Sequence, residues 1–251
     1  MKFCQWPVAC LLVSVFATTA NATLIPEDQA HFDKESYQTL YISKKVFNQE
    51  LALMQKAFSP LAEARNEKLM IAPDWTANDW ANAMSRRWPP EDQIIVYSGL
   101  AYRKEISTDA LALIVCHALG HLFGGEPLRD EYNQISNEGQ ADYWGTQACL
   151  QDAFKLFDYK DDSTIPREGI VLFCENHSEL DSVFCVRALK AAERIGSFFA
   201  HNANKPEPKV ETPDQSVVDQ TVHTHNSPQC RLDTFVAGLL KLDRPRCWYS
   251  L

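Results

Sequence analysis

The sequence has no CxxC pair, no cluster of lysine and arginine, and no apolar run of membrane-spanning length after its first residues. Each absence removes a class. Without CxxC, a cysteine-ligated structural zinc site is disfavoured. Without clustered basic side chains, and with a formal charge of −9, the chain is a poor partner for a phosphate backbone, so no nucleic acid is expected. Without about 20 consecutive apolar residues, no later segment is expected to span a membrane. The acidity reads as solubility, not as a choice of substrate. No internal repeat is present either, so the chain does not read as an array.

What remains is a chain of 251 residues, 45% hydrophobic and 11% aromatic, enough to bury a sizeable core in one domain. Its start reads as a processing signal at residues 1–22. Lys2 is a minimal basic start, Val8 to Ala17 is mostly apolar, and Ala20-Asn21-Ala22 offers the small residues of a cleavage site. A lipid anchor at Cys10 fits less well, because Cys10 lies inside the apolar run. The mature protein, residues 23–251, is thus expected to be exported, periplasmic or secreted. Losing the signal removes Cys4 and Cys10 and leaves Cys116, Cys149, Cys174, Cys185, Cys230 and Cys247. An even number in an exported chain predicts disulfides, though six cysteines allow 15 connectivities. Cys174 with Cys185 and Cys230 with Cys247 are the local pairs, which leaves Cys116 and Cys149.

Periodicity predicts a helix from Tyr37 to Phe58, ended or kinked by Ser59-Pro60. Lys68–Ala72 and Trp80–Arg86 read as short strands, and Gln93–Ser98 is the clearest strand. A helix starting at Ser107 or Thr108 is apolar on every face through Cys116, which marks it as buried, and Gly124-Gly125 ends it. Ser136 is a candidate cap for a second helix running to about Phe157. Leu180 to Phe199 carries one apolar stripe, Asn202 to Gln220 is polar and proline-rich and reads as a surface arm at about 202–222, and Ser227 to Leu240 regains helical spacing.

The buried helix, LALIVCHALGHLFGG, carries the chemistry. His117 and His121 are one turn apart on one face and can grip one metal ion. Burying imidazoles is costly unless they are ligated or hydrogen-bonded. A catalytic zinc site wants a third protein ligand and an open position. A helix, a turn and an antiparallel second helix return Glu138 over the pair, and Asp142, one turn on, is placed to accept a hydrogen bond from a ligating imidazole. Taken singly, Glu138 is an ordinary helix-start acid and Asp142 an ordinary surface charge. Their order after a buried His pair favours the metal.

HALGH followed by Asn137-Glu138-Gly139-Gln140-Ala141-Asp142 resembles the HExxH and ExxxD motifs of the gluzincin metallopeptidases. The short interval from His121 to Glu138 is also similar to thermolysin-like enzymes. Within gluzincins the chain is most similar to the group of CAAX prenyl endopeptidases, HtpX-like proteins and their soluble periplasmic relatives. Asn82-Ala83 and the strand QIIVYSGL resemble that group's segment leading into the edge strand above the active-site helix. Thr224-His225 with Arg231 resembles its late Thr-His-Pro-x-x-x-x-Arg motif, with Asn226 in place of proline.

The resemblance implies a zincin-like α+β fold, mainly helical, with a small sheet whose edge strand lies beside the active-site helix and holds a peptide or protein substrate by strand addition. It implies zinc on His117, His121 and Glu138. His225 and Arg231 are implied to lie near the zinc, stabilising a developing oxyanion or bracing Glu138. The departure is Ala118, which stands at the position of the general base. A methyl group accepts no proton, and losing such a base typically costs roughly 10²- to 10⁴-fold in rate. The expectation is a zinc metallopeptidase domain that keeps its metal and turns over poorly. An inactivating substitution made in an active peptidase and a natural non-catalytic relative both fit; the completeness of the remaining constellation favours the first. The rival functions are a peptide- or protein-binding module using the same cleft and a disulfide-braced domain without metal.

Overall fold

A computed structural model describes residues 21–32, 38–132, 134–157 and 164–251. Residues 1–20 of the expected signal peptide (1–22) and Tyr37, the expected start of the first helix, lie outside the described residues, while Asn21 and Ala22 belong to the first strand. The architecture is mixed α+β, mainly helical, with one four-stranded sheet and one two-stranded sheet. Among the described residues no helix is long and apolar enough to cross a membrane.

β1 (Asn21–Thr23) opens the large sheet, and α1 (Lys44–Glu63) follows. Ser43 caps α1 by accepting the Val46 N–H at 3.3 Å. The buried stripe of α1, Phe47, Leu51, Met54, Phe58 and Ala62, recurs at steps of three and four. Pro60 does not end this helix, contrary to expectation. Its missing N–H frees only the Lys56 carbonyl, while its own carbonyl still accepts from Ala64 at 3.1 Å.

Glu50 sits in that stripe, fully buried, with neither carboxylate oxygen hydrogen-bonded among the described residues. Burial, reinforced by nearby Asp109, raises its pKa well above the ordinary 4.5. Below that value the folded and unfolded chains both hold the proton, and as pH rises past it only the unfolded chain ionises. Stability therefore falls with rising pH until the folded carboxyl titrates. Glu50→Leu is expected to abolish this slope and to stabilise the protein at neutral pH by about 1–3 kcal/mol. Urea melts at about pH 5 and about pH 7.5 check it, and a variant as pH-sensitive as the parent refutes it.

β2 (Lys68–Asp74), β3 (Ala83–Trp88) and β4 (Glu91–Tyr97) complete the sheet in the order β1-β3-β4-β2. β2 runs parallel to β4; β3 is antiparallel to both β4 and β1. The QIIVYS strand is thus interior, not the edge that the resemblance implied. β3 lies over the next helix, and its outer side is covered by β1.

α2 (Thr108–Phe123) is capped by Ser107, whose Oγ accepts the Ala110 N–H at 3.2 Å. Every residue from Thr108 to Leu122 is buried, as its all-round apolar sequence predicts. β5 (Leu128–Asp130) and β6 (Ile135–Ser136) then form the small sheet. α3 (Glu138–Trp144) is capped by Asn137, whose Oδ1 accepts the Gln140 N–H at 2.8 Å. Ser136 is not the cap, because it is paired in β6 and its carbonyl is turned to α2. Nor is the second helix one element. A π-helical turn at Gly145–Cys149 separates α3 from α4 (Leu150–Leu156). Gly120 lets α2 and α3 meet closely, since a Cβ there would stand 2.5 Å from the Ala141 carbonyl oxygen.

α5 (Glu168–Asn176), unforeseen in the sequence, precedes α6 (Ser182–Ala203) and α7 (Pro228–Leu240). Residues 205–227 run between the last two helices without helix or strand. Three disulfides form: Cys174–Cys185 and Cys230–Cys247, the two local pairs, and Cys116–Cys149, which joins α2 to the π-helical turn.

Candidate metal centre

The helical spacing of His117 and His121 brings their Nε2 atoms to 3.0 Å of one another. Glu138, the first residue of α3, places Oε2 3.6 Å from each Nε2. All three side chains are buried. Tetrahedral bonds of about 2.0–2.1 Å require ligand atoms about 3.3 Å apart, so this triangle has the size of one metal ion.

The hydrogen bonds behind the two rings fix which nitrogens face the triangle. His117 Nδ1 lies 2.7 Å from Asp142 Oδ1, and His121 Nδ1 lies 2.8 Å from the Ser136 carbonyl oxygen. Both partners only accept, so each imidazole carries a hydrogen on Nδ1 and turns its Nε2 inward. Burial lowers the His117 pKa to about 4, despite the raising effect of Asp142, which keeps that ring neutral at physiological pH. Glu138 Oε2 is buried with no hydrogen-bond partner among the described residues. With both rings neutral, three acceptors face one another, an arrangement that a positive ion between them relieves. The buried group His117, His121 and Glu138 can therefore hold a metal ion.

Around the triangle, Asp142 does more than orient His117. It accepts from Arg231 Nε at 2.7 Å and Nη2 at 2.8 Å, a bidentate pair buried on both sides. Burial works against the Asp142 charge, but Arg231 and His117 hold its pKa below the ordinary value. Arg231 also donates to the Leu24 carbonyl at 2.6 Å, stacks over the Phe199 ring at 3.8 Å, and has Nη2 4.0 Å from Glu138 Oε2. Its bracing thus falls mainly on Asp142. His225 Nε2 donates to the Thr23 carbonyl at 2.7 Å and lies 3.5 Å from Glu138 Oε1. Neighbouring His223 instead turns to the Leu128 carbonyl at 2.7 Å.

No family model, curated protein or solved structure matches this chain. What the site can do is therefore read from its own atoms.

Ala118 is buried, 2% exposed, and its carbonyl accepts from Ser85 Oγ at 2.8 Å in β3. Its methyl brings no proton acceptor to the pair. Glu126 lies exposed beyond the Gly124 cap of α2. Two participants were not foreseen. Arg129 of β5 donates to Glu138 Oε1 at 3.2 Å, and the Ser136 carbonyl fixes His121. The first looks in sequence like any loop arginine, and the second is a backbone atom with no side-chain signature.

Proposed function

We propose that this chain is an exported zinc-centred peptide cleft of the metallopeptidase type, which binds its metal but hydrolyses poorly because Ala118 stands where a general base belongs. The convergence of two inward-facing Nε2 atoms, whose rings are anchored through Nδ1, with an unpartnered carboxylate oxygen carries this reading. Two nitrogens and one carboxylate, with no thiolate, suit zinc in a site that keeps a position open. Zinc held there supplies a water of lowered pKa and polarises a substrate carbonyl. The protein's own groups do the rest. Asp142 and the Ser136 carbonyl fix the two rings, Arg231 secures Asp142, and His225 Nε2–H points at a carbonyl oxygen 2.7 Å away, the act required of an oxyanion donor. Export is supported by the basic-then-apolar start and by three disulfides, which persist in oxidising compartments.

Metal analysis of the purified chain is expected to give about one zinc per molecule, and Glu138→Gln to weaken retention by at least roughly tenfold against a competing chelator. A chain that carries no zinc and melts identically with and without chelator refutes the metal centre. A second reading, a non-catalytic peptide-binding module, is favoured by one observation, the Ala118 methyl. Restoring a carboxylate at 118 separates the two.

A further inference from the structure

The outer side of β3 is filled by the chain's own N-terminal strand. β1 pairs antiparallel with β3 through Asn21 and Arg86, Ala22 and Ser85, and Thr23 and Met84. The pairing continues past the strand. Leu24 N–H donates to the Ala83 carbonyl at 3.0 Å, Ile25 N–H to Asn82 Oδ1 at 3.3 Å, and Asn82 Nδ2 donates to the Ile25 carbonyl at 3.0 Å. On the other side, the Thr23 carbonyl accepts from His225 and the Leu24 carbonyl from Arg231. Three consecutive carbonyls are thus taken by three side chains. One of those side chains, His225, is also 3.5 Å from Glu138 in the metal triangle. The segment is buried from Ala22 to Ile25, and Ile25 lines a cavity of about 250 Å³ together with Phe199, His225 and Arg231.

Main-chain bonds along a sheet edge, with alternate side chains sunk into pockets, are how an extended peptide is held by strand addition. We infer that residues 23–25, Thr-Leu-Ile, which the mature chain keeps, are the protein's own occupant of its peptide cleft, and that the β3 edge accepts external extended peptides of this polar-then-aliphatic chemistry only when that segment is displaced. The inference rests on the peptide-cleft reading above. A tethered occupant acts at an effective concentration on the order of millimolar, so an external peptide of micromolar affinity does not compete while the segment is seated. Displacement must break the bonds at residues 23–25 and expose Leu24.

The test uses the full chain, Leu24→Pro, which removes the Leu24 N–H and its apolar anchor, and Leu24→Ala, which only shallows the seat and keeps the fold if proline does not. The probes are a fluorescein-labelled peptide with the sequence of residues 20–27 and a scrambled version, read by fluorescence anisotropy. The expected result is no binding to the full chain, binding of the matched peptide to Leu24→Pro at least tenfold tighter than the scramble, and weaker binding to Leu24→Ala. Equal binding to the parent and both variants overturns the inference, because the cleft is then open. Folded variants that bind neither peptide overturn it too, because the segment is then only a core strand. Zinc content is measured in parallel. Its absence from all three proteins counts against the metal centre, while the anisotropy result still decides the occupant.

Discussion

Ala118→Glu is expected to turn the zinc-loaded chain into a peptidase, raising hydrolysis of a broad peptide library by roughly 10²- to 10⁴-fold, the usual worth of a positioned general base. Every other group of the centre is already in position. The two rings have fixed tautomers, Glu138 offers an uncommitted oxygen, and His225 donates to a carbonyl at 2.7 Å. Position 118 is only 2% exposed, so the new carboxylate needs room as well as a metal. The cleaner measurement is therefore the double variant with Leu24→Pro, which is expected to exceed Ala118→Glu alone. Activity must vanish with chelator and return with zinc. A zinc-bound double variant that cleaves nothing in the library leaves the binding-module reading in place.

The second large effect concerns Arg231. Arg231→Met is expected to destabilise the protein by about 3–5 kcal/mol, because it strands the Asp142 carboxylate in a buried site with only His117 beside it. It also strips a donor from the Leu24 carbonyl. For a domain of this size that is a fall of very roughly 6–20 °C in Tm. The cost reflects the charge left alone, not the net worth of the ion pair, so Arg231→Met combined with Asp142→Asn is expected to recover part of it. Arg231→Lys is not expected to rescue, since a single ammonium cannot reproduce the two-pronged contact with Asp142 while reaching Leu24. Thermal melts of the three variants decide it; an Arg231→Met protein as stable as the parent refutes the argument.

Much of this centre was legible because it obeys short-range rules. The pair His117 and His121 is a consequence of helical pitch, and the all-apolar surround of Leu111 to Cys116 announces burial. Glu138 and Asp142 are one turn apart on the next helix, so bringing one to the site brings the other. The two local disulfides match the pairs that spacing offers, whereas the pairing of Cys116 with Cys149 depends on long-range placement. What stayed hidden depends on long-range placement. Whether QIIVYS forms an edge is decided by which strands flank it, and its second neighbour, β2, pairs in parallel from the far side of β3 in the sequence. The cap of α3 was misplaced by one residue because Ser136 and Asn137 are both good caps, and the β5–β6 pairing claims the serine. The π-helical turn at Gly145–Cys149 leaves no periodic trace in so short a stretch, and α5 is too brief for a stripe to stand out.

The bonds from Arg231 set a clock on the molecule's birth. They reach Leu24 at one end and Asp142 in the middle, across 207 and 89 residues of chain. A ribosome delivers the N-terminus first, so the segment over the cleft and both imidazoles exist long before the guanidinium that joins them. The His pair and Glu138 are complete once α3 has emerged, but the brace that holds Asp142 arrives only with α7, the last helix. Metal capture at full strength is thus an act of the finished chain, and a nascent one truncated before Arg231 leaves its histidines loosely held.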